Sequence, residues 1–347
     1  MRINRDQFHY SNALEDSPHH KNKIRLAGTL APPRMRQGLI PLQALTTMQG
    51  KGTPMSTEIT LDLVRSLLPE RPAHGHKGTF GHVFIVAGSR GFTGAAKLAC
   101  EAASRSGVGL VTVGVPRPLG DVVAESLVEA MSFVLPATEA ESLAADALEP
   151  ALEFAASKQA VVLGPGLSQH PETRAFVLEF VKRCPVPMLI DADGLNALST
   201  KPETLLAAAG PRILTPHPGE MARLTGKATG DIQKNREAVA SNFAATYGCV
   251  AVLKGYRTVV ADAEGRALVN PTGNAGLASG GTGDVLAGLA GGLLAQGMTG
   301  MDAALAGVYV HGLAGDIAAA AMTERGMVAS DVIHAIPEAW QRVEQGA

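Results

Sequence analysis

From residue 270 the chain reads Asn270-Pro-Thr-Gly-Asn-Ala-Gly-Leu-Ala-Ser-Gly-Gly-Thr-Gly-Asp284, and it continues as Val285-Leu-Ala-Gly-Leu-Ala-Gly-Gly-Leu-Leu294. Gly280, Gly281 and Gly283 stand directly before an apolar helical segment, so successive backbone N–H groups are expected to point outward there. The N-terminus of the helix adds about half a positive charge. Asp284 would suit a plain helix cap, but a cap needs no Gly-Gly-Thr-Gly around it. The stretch therefore predicts a phosphate-binding anion hole with a carboxylate beside it.

Strand-like and helix-like segments alternate on both sides of this stretch, from about Ser56 onward. The strand candidates are short apolar runs, typical of strands buried on both faces: His82–Ala87, Leu110–Val115, Ala160–Leu163, Pro187–Ile190, Arg212–Leu214 and Cys249–Leu253. Thr258–Ala261 and Ala267–Val269 read as an antiparallel hairpin, and the predicted helices are Gly94–Ser106, Asp284–Gln296, Asp302–Met322 and Ala329–Val343. The alternation predicts a mainly parallel sheet covered on both faces, with its site at the carboxyl ends of the strands.

The composition excludes several classes of protein. The chain has 347 residues, of which 46% are apolar and 18% charged, and this balance rules out wholesale disorder. A net charge of −2 does not indicate a nucleic-acid partner, and no apolar run is predicted to span a membrane. An aromatic content of 4% argues against base-stacking platforms. Three cysteines among apolar neighbours favour reduced thiols, so the predicted location is cytoplasmic.

The first 55 residues differ from the rest of the chain. They contain eight basic and three acidic residues, a balance of +5, which leaves about −7 for the remainder. They show little helical or strand periodicity, and we expect a mostly disordered extension, or residues upstream of a true start at Met48 or Met55. A basic targeting arm is the alternative. Residues 56–347 are then predicted to form a single domain.

The glycine-rich turns between the predicted elements carry a family resemblance. Gly-Gly-Thr-Gly-Asp284 resembles the anion-hole and base motif of the ribokinase-like superfamily. Six further turns, in order ahead of it, resemble those of the ADP/ATP-dependent NAD(P)H-hydrate dehydratase family: His76–Gly81, Gly88–Ala95, Gly164–Gly166, Asp191–Asn196, Thr215–Glu220 and Lys254-Gly255. The resemblance covers about Glu58 to Glu344 and implies a ribokinase-like three-layer α/β/α fold with a mainly parallel central sheet. The epimerase domain often fused ahead of this domain in bacteria is expected to be absent.

The resemblance also implies a reaction and a set of site residues. The reaction would be the ADP-dependent dehydration of (6S)-NADHX or NADPHX to NADH or NADPH, yielding AMP and phosphate, with Mg²⁺ present and ATP as a possible co-substrate. Asp284 would be the base, with Gly281, Thr282 and Gly283 as the anion hole. The hydrated dinucleotide would contact Ala95, Gly166, His217 and Asp284, and the adenine nucleotide would contact Lys254, Gly255, Tyr256, Arg257, Thr258 and Gly283. A homo-oligomer, specifically a tetramer, is also implied.

Several side chains at these turns have a second interpretation. His217 lies between two prolines on a rigid loop, which suits a ligand contact but also a structural histidine. Glu220 would reach Mg²⁺ through water, or would simply be an acid in the first turn of a helix. Asp191 and Asp193 would help to hold metal or ribose, unless Asp191 caps the next helix. Lys254 would contact phosphate or be a solvated lysine at a strand end.

Two other functional classes stay open at this point. A small-molecule kinase of the ribokinase-like superfamily would use the same anion hole and base. A catalytically silent nucleotide-binding regulator would keep the fold, although it would not need a carboxylate beside the anion hole. A Rossmann dehydrogenase is disfavoured, because Gly88, Gly91 and Gly94 follow a G-x-x-G-x-x-G spacing that differs from the dinucleotide-binding fingerprint.

Overall fold

The computed structural model describes residues 57–346, so the predicted extension over residues 1–55 lies outside the described residues. The strands are β1 (Thr57–Glu58), β2 (His82–Val86), β3 (Leu110–Pro116), β4 (Met131–Leu135), β5 (Ala160–Leu163), β6 (Met188–Ile190), β7 (Arg212–Leu214), β8 (Val250–Leu253), β9 (Val259–Ala261) and β10 (Ala267–Val269). The helices are α1 (Leu61–Leu67), α2 (Thr93–Arg105), α3 (Gly120–Ser126), α4 (Leu148–Ala155), α5 (Pro171–Arg183), α6 (Asp193–Leu198), α7 (Pro218–Thr225), α8 (Thr229–Lys234), α9 (Arg236–Tyr247), α10 (Thr282–Ala295), α11 (Gly300–Met322) and α12 (Ala329–Gln345).

Within the described residues the strands form one sheet in the order β1-β10-β9-β8-β7-β6-β5-β2-β3-β4. All neighbouring pairs are parallel except those of β9, which is antiparallel to β8 and β10. The predicted mainly parallel sheet and the hairpin are thus confirmed. The sequence missed β1, which has two residues, and β4, an edge strand in which Met131, Ser132 and Val134 are exposed.

Helices cover both faces of this sheet because successive strand residues point to opposite sides. One lateral row, Val113, Ile85, Val162, Leu189 and Ile213, crosses five strands and belongs to the core on the side of α2, α10, α11 and α12. The next row contains Val86, Leu163, Ile190 and Leu214, and belongs to the core on the side of α5, α7 and α9. The predicted three-layer architecture is confirmed.

The order of the strands locates a crevice at one edge of the sheet. β2 lies between β3 and β5, so the chain proceeds outward from β2 in both directions. The loops after β2 and β5 separate at such a switch point, and open α/β sheets bind their ligands there. In this chain the two loops are Gly88–Phe92 and Gly164–Gln169.

Glycines allow α10 to lie unusually close to its neighbours. A methyl group on Gly288 would lie 2.0 Å from the carbonyl oxygen of Ala99 in α2, and one on Gly291 would lie 2.0 Å from Cγ2 of Val162 in β5. The helix begins at Thr282, two residues before its predicted start at Asp284, and ends at Ala295. Its glycines therefore fix how closely the helix that carries the anion hole approaches the sheet.

Replacing Gly288 by Ala should destabilise the fold by about 3 kcal/mol, because the added methyl group meets backbone atoms that cannot rotate away. Urea-induced unfolding measures the effect. Gly230→Ala is the matched control, because Gly230 also lies in a helix and has nothing within 4 Å of the added methyl group. This control should be neutral or stabilising by up to about 1 kcal/mol. An unchanged unfolding midpoint for Gly288→Ala would contradict the close contact between α2 and α10.

By length and composition alone, α11 is the one helix of residues 57–346 that could cross a bilayer, with a mean hydropathy of 1.3 over its most apolar window. The sequence predicted this helix as Asp302–Met322 but did not single it out as long and apolar enough to span a membrane, and in the structure it runs from Gly300 to Met322. In the structure, 61% of that window is buried, and the helix packs against α10 and α12. Its apolar residues therefore belong to the core of the domain.

Candidate functional site

The glycine-rich stretch forms the N-terminus of α10, as its spacing predicted. Gly281 is the cap residue and has a φ of 93°, a left-handed conformation that glycine adopts without strain. The Thr282 hydroxyl donates to the carbonyl oxygens of Leu277 (2.7 Å) and Ser279 (2.9 Å), which holds the loop against the helix. The first N–H groups of a helix have no acceptor within it. Gly281, Thr282 and Gly283 therefore provide the geometry of an anion hole.

Lys254 and two carboxylates lie beside this anion hole. The Lys254 ammonium donates to Asp191 Oδ1 at 2.6 Å and lies 3.9 Å from Glu220 Oε2. A methyl group on Gly283 would lie 3.4 Å from Lys254 Nζ and 3.7 Å from Asp191 Oδ2, so the cluster borders the helix terminus. Lys254 is thus a largely buried partner of carboxylates at the anion hole, and the interpretation as a solvated lysine at a strand end is wrong.

These charges change the pKa values of the cluster. Burial, Asp191 and Asp193 raise the pKa of Asp284 to about 7, and Lys254 opposes the shift only in part. Burial raises the pKa of Glu220 as well, with Asp191 adding to the shift. Burial alone would lower the pKa of Lys254, but the attraction of Asp191 and Glu220 outweighs it and the pKa lies above its ordinary value. Asp284 therefore changes its charge near neutral pH, which suits a general base.

His217 and Glu220 form a capping box at the start of α7. His217 Nδ1 accepts from the N–H groups of Gly219 (3.0 Å) and Glu220 (3.3 Å), while Glu220 Oε2 accepts from the His217 N–H at 2.7 Å. Because Nδ1 accepts, the neutral ring carries its proton on Nε2, which lies 3.6 Å from Glu220 Oε1. Burial lowers the pKa of His217, with Lys254 and Arg223 adding to the shift. His217 therefore has a structural role, because its Nδ1 caps α7. Its ring is half-exposed, so the Nε2–H can still contact a ligand.

The turn between β6 and α6 separates two aspartates with different roles. Ala192 between them has a φ of 48°, a strained value for a residue with a side chain. Ala192 is also the cap residue of α6, so the interpretation of Asp191 as the helix cap is wrong. Asp193 accepts from the Ser168 N–H (2.8 Å) and the Gln169 amide (2.8 Å). Asp191 thus faces Lys254, whereas Asp193 holds the loop after β5.

Ala95 and Gly166 meet at the crevice between the loops after β2 and β5. A methyl group on Gly166 would lie 3.1 Å from the Ala95 side chain and 2.8 Å from Cβ of Phe92. Gly166 itself has a φ of 62°. The Ser89 hydroxyl donates to the Gly166 carbonyl oxygen at 2.7 Å and ties the two loops together. The structure therefore brings together two of the four residues predicted for the dinucleotide.

A cavity of about 440 Å³ lies on another side of the anion hole. Its lining includes every residue predicted for the adenine nucleotide: Lys254, Gly255, Tyr256, Arg257, Thr258 and Gly283. The loop is held by the Thr258 hydroxyl, which donates to the Gly255 carbonyl oxygen (3.0 Å), and by Arg257, which pairs with Glu58 at 2.8 Å. Ala95, Gly166, His217 and Asp284 are not part of this lining, so the site has two parts.

Two polar residues that line this cavity, Asn270 and His311, were not among the predicted site residues. The Asn270 amide donates to the carbonyl oxygens of Thr272 and Val308, both at 3.1 Å, and so ties the wall to α11. Buried His311 lies 2.9 Å through Nε2 from the Thr282 carbonyl oxygen, and burial lowers its pKa to about 4. That oxygen can only accept, so the neutral ring donates from Nε2. The motif Asn270-Pro-Thr-Gly-Asn274 was a visible signal, but no sequence signal pointed to His311.

No group of three or more His, Cys, Asp or Glu side chains within residues 57–346 is placed to hold a metal ion. The three cysteines are free and buried, as the sequence predicted.

The α/β/α layers and the anion hole with its carboxylate define a protein of the ribokinase-like superfamily, which confirms the predicted fold class. The sequence profile of the NAD(P)H-hydrate dehydratase family matches residues 83–338. The chain belongs to that family, as the motifs predicted.

The names of similar proteins are consistent with membership of this family. The chain is 45% identical over 287 residues to the bifunctional NAD(P)H-hydrate repair enzyme Nnr of Moorella thermoacetica, covering 83% of this chain and 54% of that protein. It is 36% identical over 285 residues to the ADP-dependent (S)-NAD(P)H-hydrate dehydratase of Bacillus subtilis, covering 82% of this chain and 98% of that protein. The chain thus spans about half the length of the bifunctional relatives it matches.

A solved structure is similar over the same region. The crystal structure of the ADP/ATP-dependent NAD(P)H-hydrate dehydratase of Bacillus subtilis, co-crystallised with ATP and Mg²⁺, matches with a TM-score of 0.71 and 34% identity. The match covers 84% of this chain and 100% of that chain.

Proposed function

We propose that this chain catalyses the ADP-dependent dehydration of (6S)-NADHX and NADPHX to NADH and NADPH, releasing AMP and phosphate. One observation carries the proposal: the anion hole and the half-buried carboxylate of Asp284 adjoin both a cavity lined by the residues predicted for the adenine nucleotide and a crevice where Ala95 and Gly166 meet. The names of the Bacillus subtilis relatives supply the reaction.

The chemistry begins at the hydroxyl group on C6 of the hydrated ring. Asp284 accepts its proton while the oxygen attacks the terminal phosphorus of ADP, forming an O–P bond and releasing AMP. The N–H groups of Gly281, Thr282 and Gly283 hold the charge on the transferred phosphoryl group. The C–O bond then breaks, because phosphate leaves far more readily than hydroxide and the ring nitrogen donates electrons. A proton is lost from C5, and the double bond of the reduced nicotinamide is restored.

The remaining site residues position the two substrates. Lys254 to Thr258 and Gly283 bind the adenine nucleotide, while Ala95, Gly166 and the Nε2–H of His217 contact the hydrated dinucleotide. When it arrives with the nucleotide, Mg²⁺ neutralises negative charge on the phosphates. Glu220 would contact that ion through water. The enzyme is a cytoplasmic homo-oligomer, a tetramer, and uses neither nucleic acid nor membrane.

The direct test is to incubate the protein with NADHX and compare ADP with ATP side by side. The absorbance of reduced nicotinamide should return, with one AMP released for each NADH when ADP is used. A kinase of the ribokinase-like superfamily would leave that absorbance unchanged, and a catalytically silent regulator would bind nucleotide without consuming it. Either outcome would overturn the proposal.

The rate should depend on pH through Asp284, whose pKa is raised to about 7. A base must be ionised, so kcat/KM should rise about tenfold per pH unit below that pKa and level off above it. Rates measured between about pH 5.5 and 8.5 test this, with nucleotide affinity measured over the same range as the control. A flat profile below pH 7 at constant nucleotide affinity would contradict the role of Asp284.

A further inference from the structure

Exposed aromatic side chains occur at only two positions within residues 57–346. Phe92 is 57% exposed and Tyr256 is 89% exposed, whereas every other Phe, Tyr and Trp in this part of the chain is buried or half-buried. An aromatic ring left in water forgoes the stabilisation that its burial would give. The positions of these two exposed rings relative to the site therefore bear on function.

Each exposed ring lies at one part of the site. Tyr256 lines the cavity assigned to the adenine nucleotide. Phe92 lies at the crevice, where its Cβ would be 2.8 Å from a methyl group on Gly166. The two aromatics thus mark the two binding regions separately.

The backbone around Phe92 is firmly held. Its N–H donates to the Ser89 carbonyl oxygen at 2.9 Å, and Ser89 in turn donates to Gly166. The Gly88 N–H donates to the Pro165 carbonyl oxygen at 2.8 Å. The loop that carries Phe92 is therefore fixed to the opposite wall of the crevice, and an exposed ring on a fixed loop suits contact with a ligand.

Helix α2 connects Phe92 to the anion hole. Phe92 is the cap residue at the N-terminus of α2, and Ala95 and Leu98 follow it at intervals of three residues, so that each is adjacent to the next on the surface of the helix. Leu98 reaches the anion hole, since a methyl group on Gly281 would lie 2.6 Å from its Cδ1. Six residues of helix span about 9 Å. A ligand that reacts at the anion hole can therefore extend over the surface of α2 from Leu98 to Phe92.

We propose that Phe92 stacks against a flat ring of the dinucleotide substrate and so helps to determine its affinity. This inference rests on the proposed function, because it takes the hydrated dinucleotide as the molecule in the crevice. A low aromatic content is compatible with it, since one ring at the right position suffices.

The test compares the two substrates in steady-state kinetics. Phe92→Ala should raise the KM for NADPHX about tenfold and leave the KM for ADP unchanged, since loss of one stacked ring weakens binding by about that factor. Phe92→Tyr should restore the wild-type KM, and Phe92→Leu should fall between the two. Tyr256→Ala should show the reverse pattern, raising the KM for ADP alone. Leu206→Ala, at a residue that is 66% exposed and precedes β7, should change neither.

Calorimetric binding of NADP⁺ and of nicotinamide mononucleotide tests Phe92 without turnover. A loss of affinity in Phe92→Ala for NADP⁺ alone would place the adenine ring against Phe92, and a loss for both ligands would place the nicotinamide ring there; either result supports the proposal. Unchanged affinities would overturn it, as would a change in oligomeric state on gel filtration, which would assign Phe92 to a subunit interface. Absence of wild-type turnover would refute the proposed function instead, and the two failures are thus distinguishable.

Discussion

Replacing Asp284 by Asn should lower kcat about a thousandfold, because a positioned general base accounts for that order of acceleration. Nucleotide affinity should be retained or improved, since the change removes a negative charge beside the anion hole without altering its N–H groups. Single-turnover kinetics and equilibrium titration with ADP measure the two quantities separately. Retained turnover would show that another group takes the proton.

The same substitution should stabilise the protein. Burial raises the folded-state pKa of Asp284 to about 7 from an ordinary value of 3.8. The folded protein therefore binds more protons than the unfolded chain between these values, and stability falls as the pH rises through that window. Asn carries no charge, so Asp284→Asn should gain about 2 kcal/mol at pH 8 and nothing at pH 4, after allowance for partial exposure of the site. Thermal unfolding at both pH values measures the difference.

The chain itself supplies a matched control for Asp284→Asn. Thr229-Gly230-Asp231 opens α8 just as Thr282-Gly283-Asp284 opens α10, with the aspartate at the third helical position in both. Asp231 is exposed, whereas Asp284 is half-buried among other carboxylates. Asp231→Asn should therefore change neither turnover nor the pH dependence of stability. A similar effect of both substitutions on stability would mean that the helix terminus, and not the buried cluster, is responsible.

This pair of identical tripeptides also shows what the sequence can and cannot predict. Periodicity predicted α10 and the parallel strands, because a strand buried on both faces has a continuous apolar run. It missed β4, a strand at the edge of the sheet that is exposed over much of its length. Thr-Gly-Asp alone predicted nothing about function; the preceding Gly280-Gly281 did, because only glycine adopts the left-handed turn with Leu98 so close.

The sequence predicted the backbone of the candidate site better than the contacts between its side chains. The glycine turns located the anion hole and both binding regions, since backbone conformation is a local property that residue types reveal. The pairing of Lys254 with Asp191 joins residues that are 63 positions apart in the sequence, and only the folded sheet brings them together. Phe92 lies in the predicted glycine turn Gly88–Ala95, but nothing in the sequence showed that its ring is exposed.

Lys254 is the residue whose loss should damage both stability and activity. Lys254→Met keeps the length and the apolar part of the side chain but leaves Asp191 and Glu220 without their cation. Removing one partner of a buried ion pair costs about 3–5 kcal/mol, because the remaining charge stays desolvated. The nucleotide should also bind much more weakly, since its phosphates would meet carboxylates with no neutralising charge.

The pH dependence of the stability of Lys254→Met shows whether the lost stability is electrostatic in origin. Without Lys254, the folded-state pKa values of Glu220 and Asp284 should rise further, because Lys254 lowers both. A raised carboxylate pKa favours the protonated folded state, so the destabilisation of Lys254→Met should be small at about pH 5 and grow up to about pH 8. Urea unfolding across that range, and the shift of the pH–rate profile to higher pH, measure it.

A double variant distinguishes the effect of the lost charge from the effect of the lost side-chain packing. Lys254→Met combined with Asp191→Asn removes both members of the 2.6 Å ion pair, and it should recover much of the stability lost in Lys254→Met. It should not recover nucleotide affinity, because the cation beside the anion hole is still missing. If the single variant were equally unstable at all pH values and the double variant no better, the cost would come from packing of the Lys254 stem. Lys254 would then have no electrostatic role in the cluster.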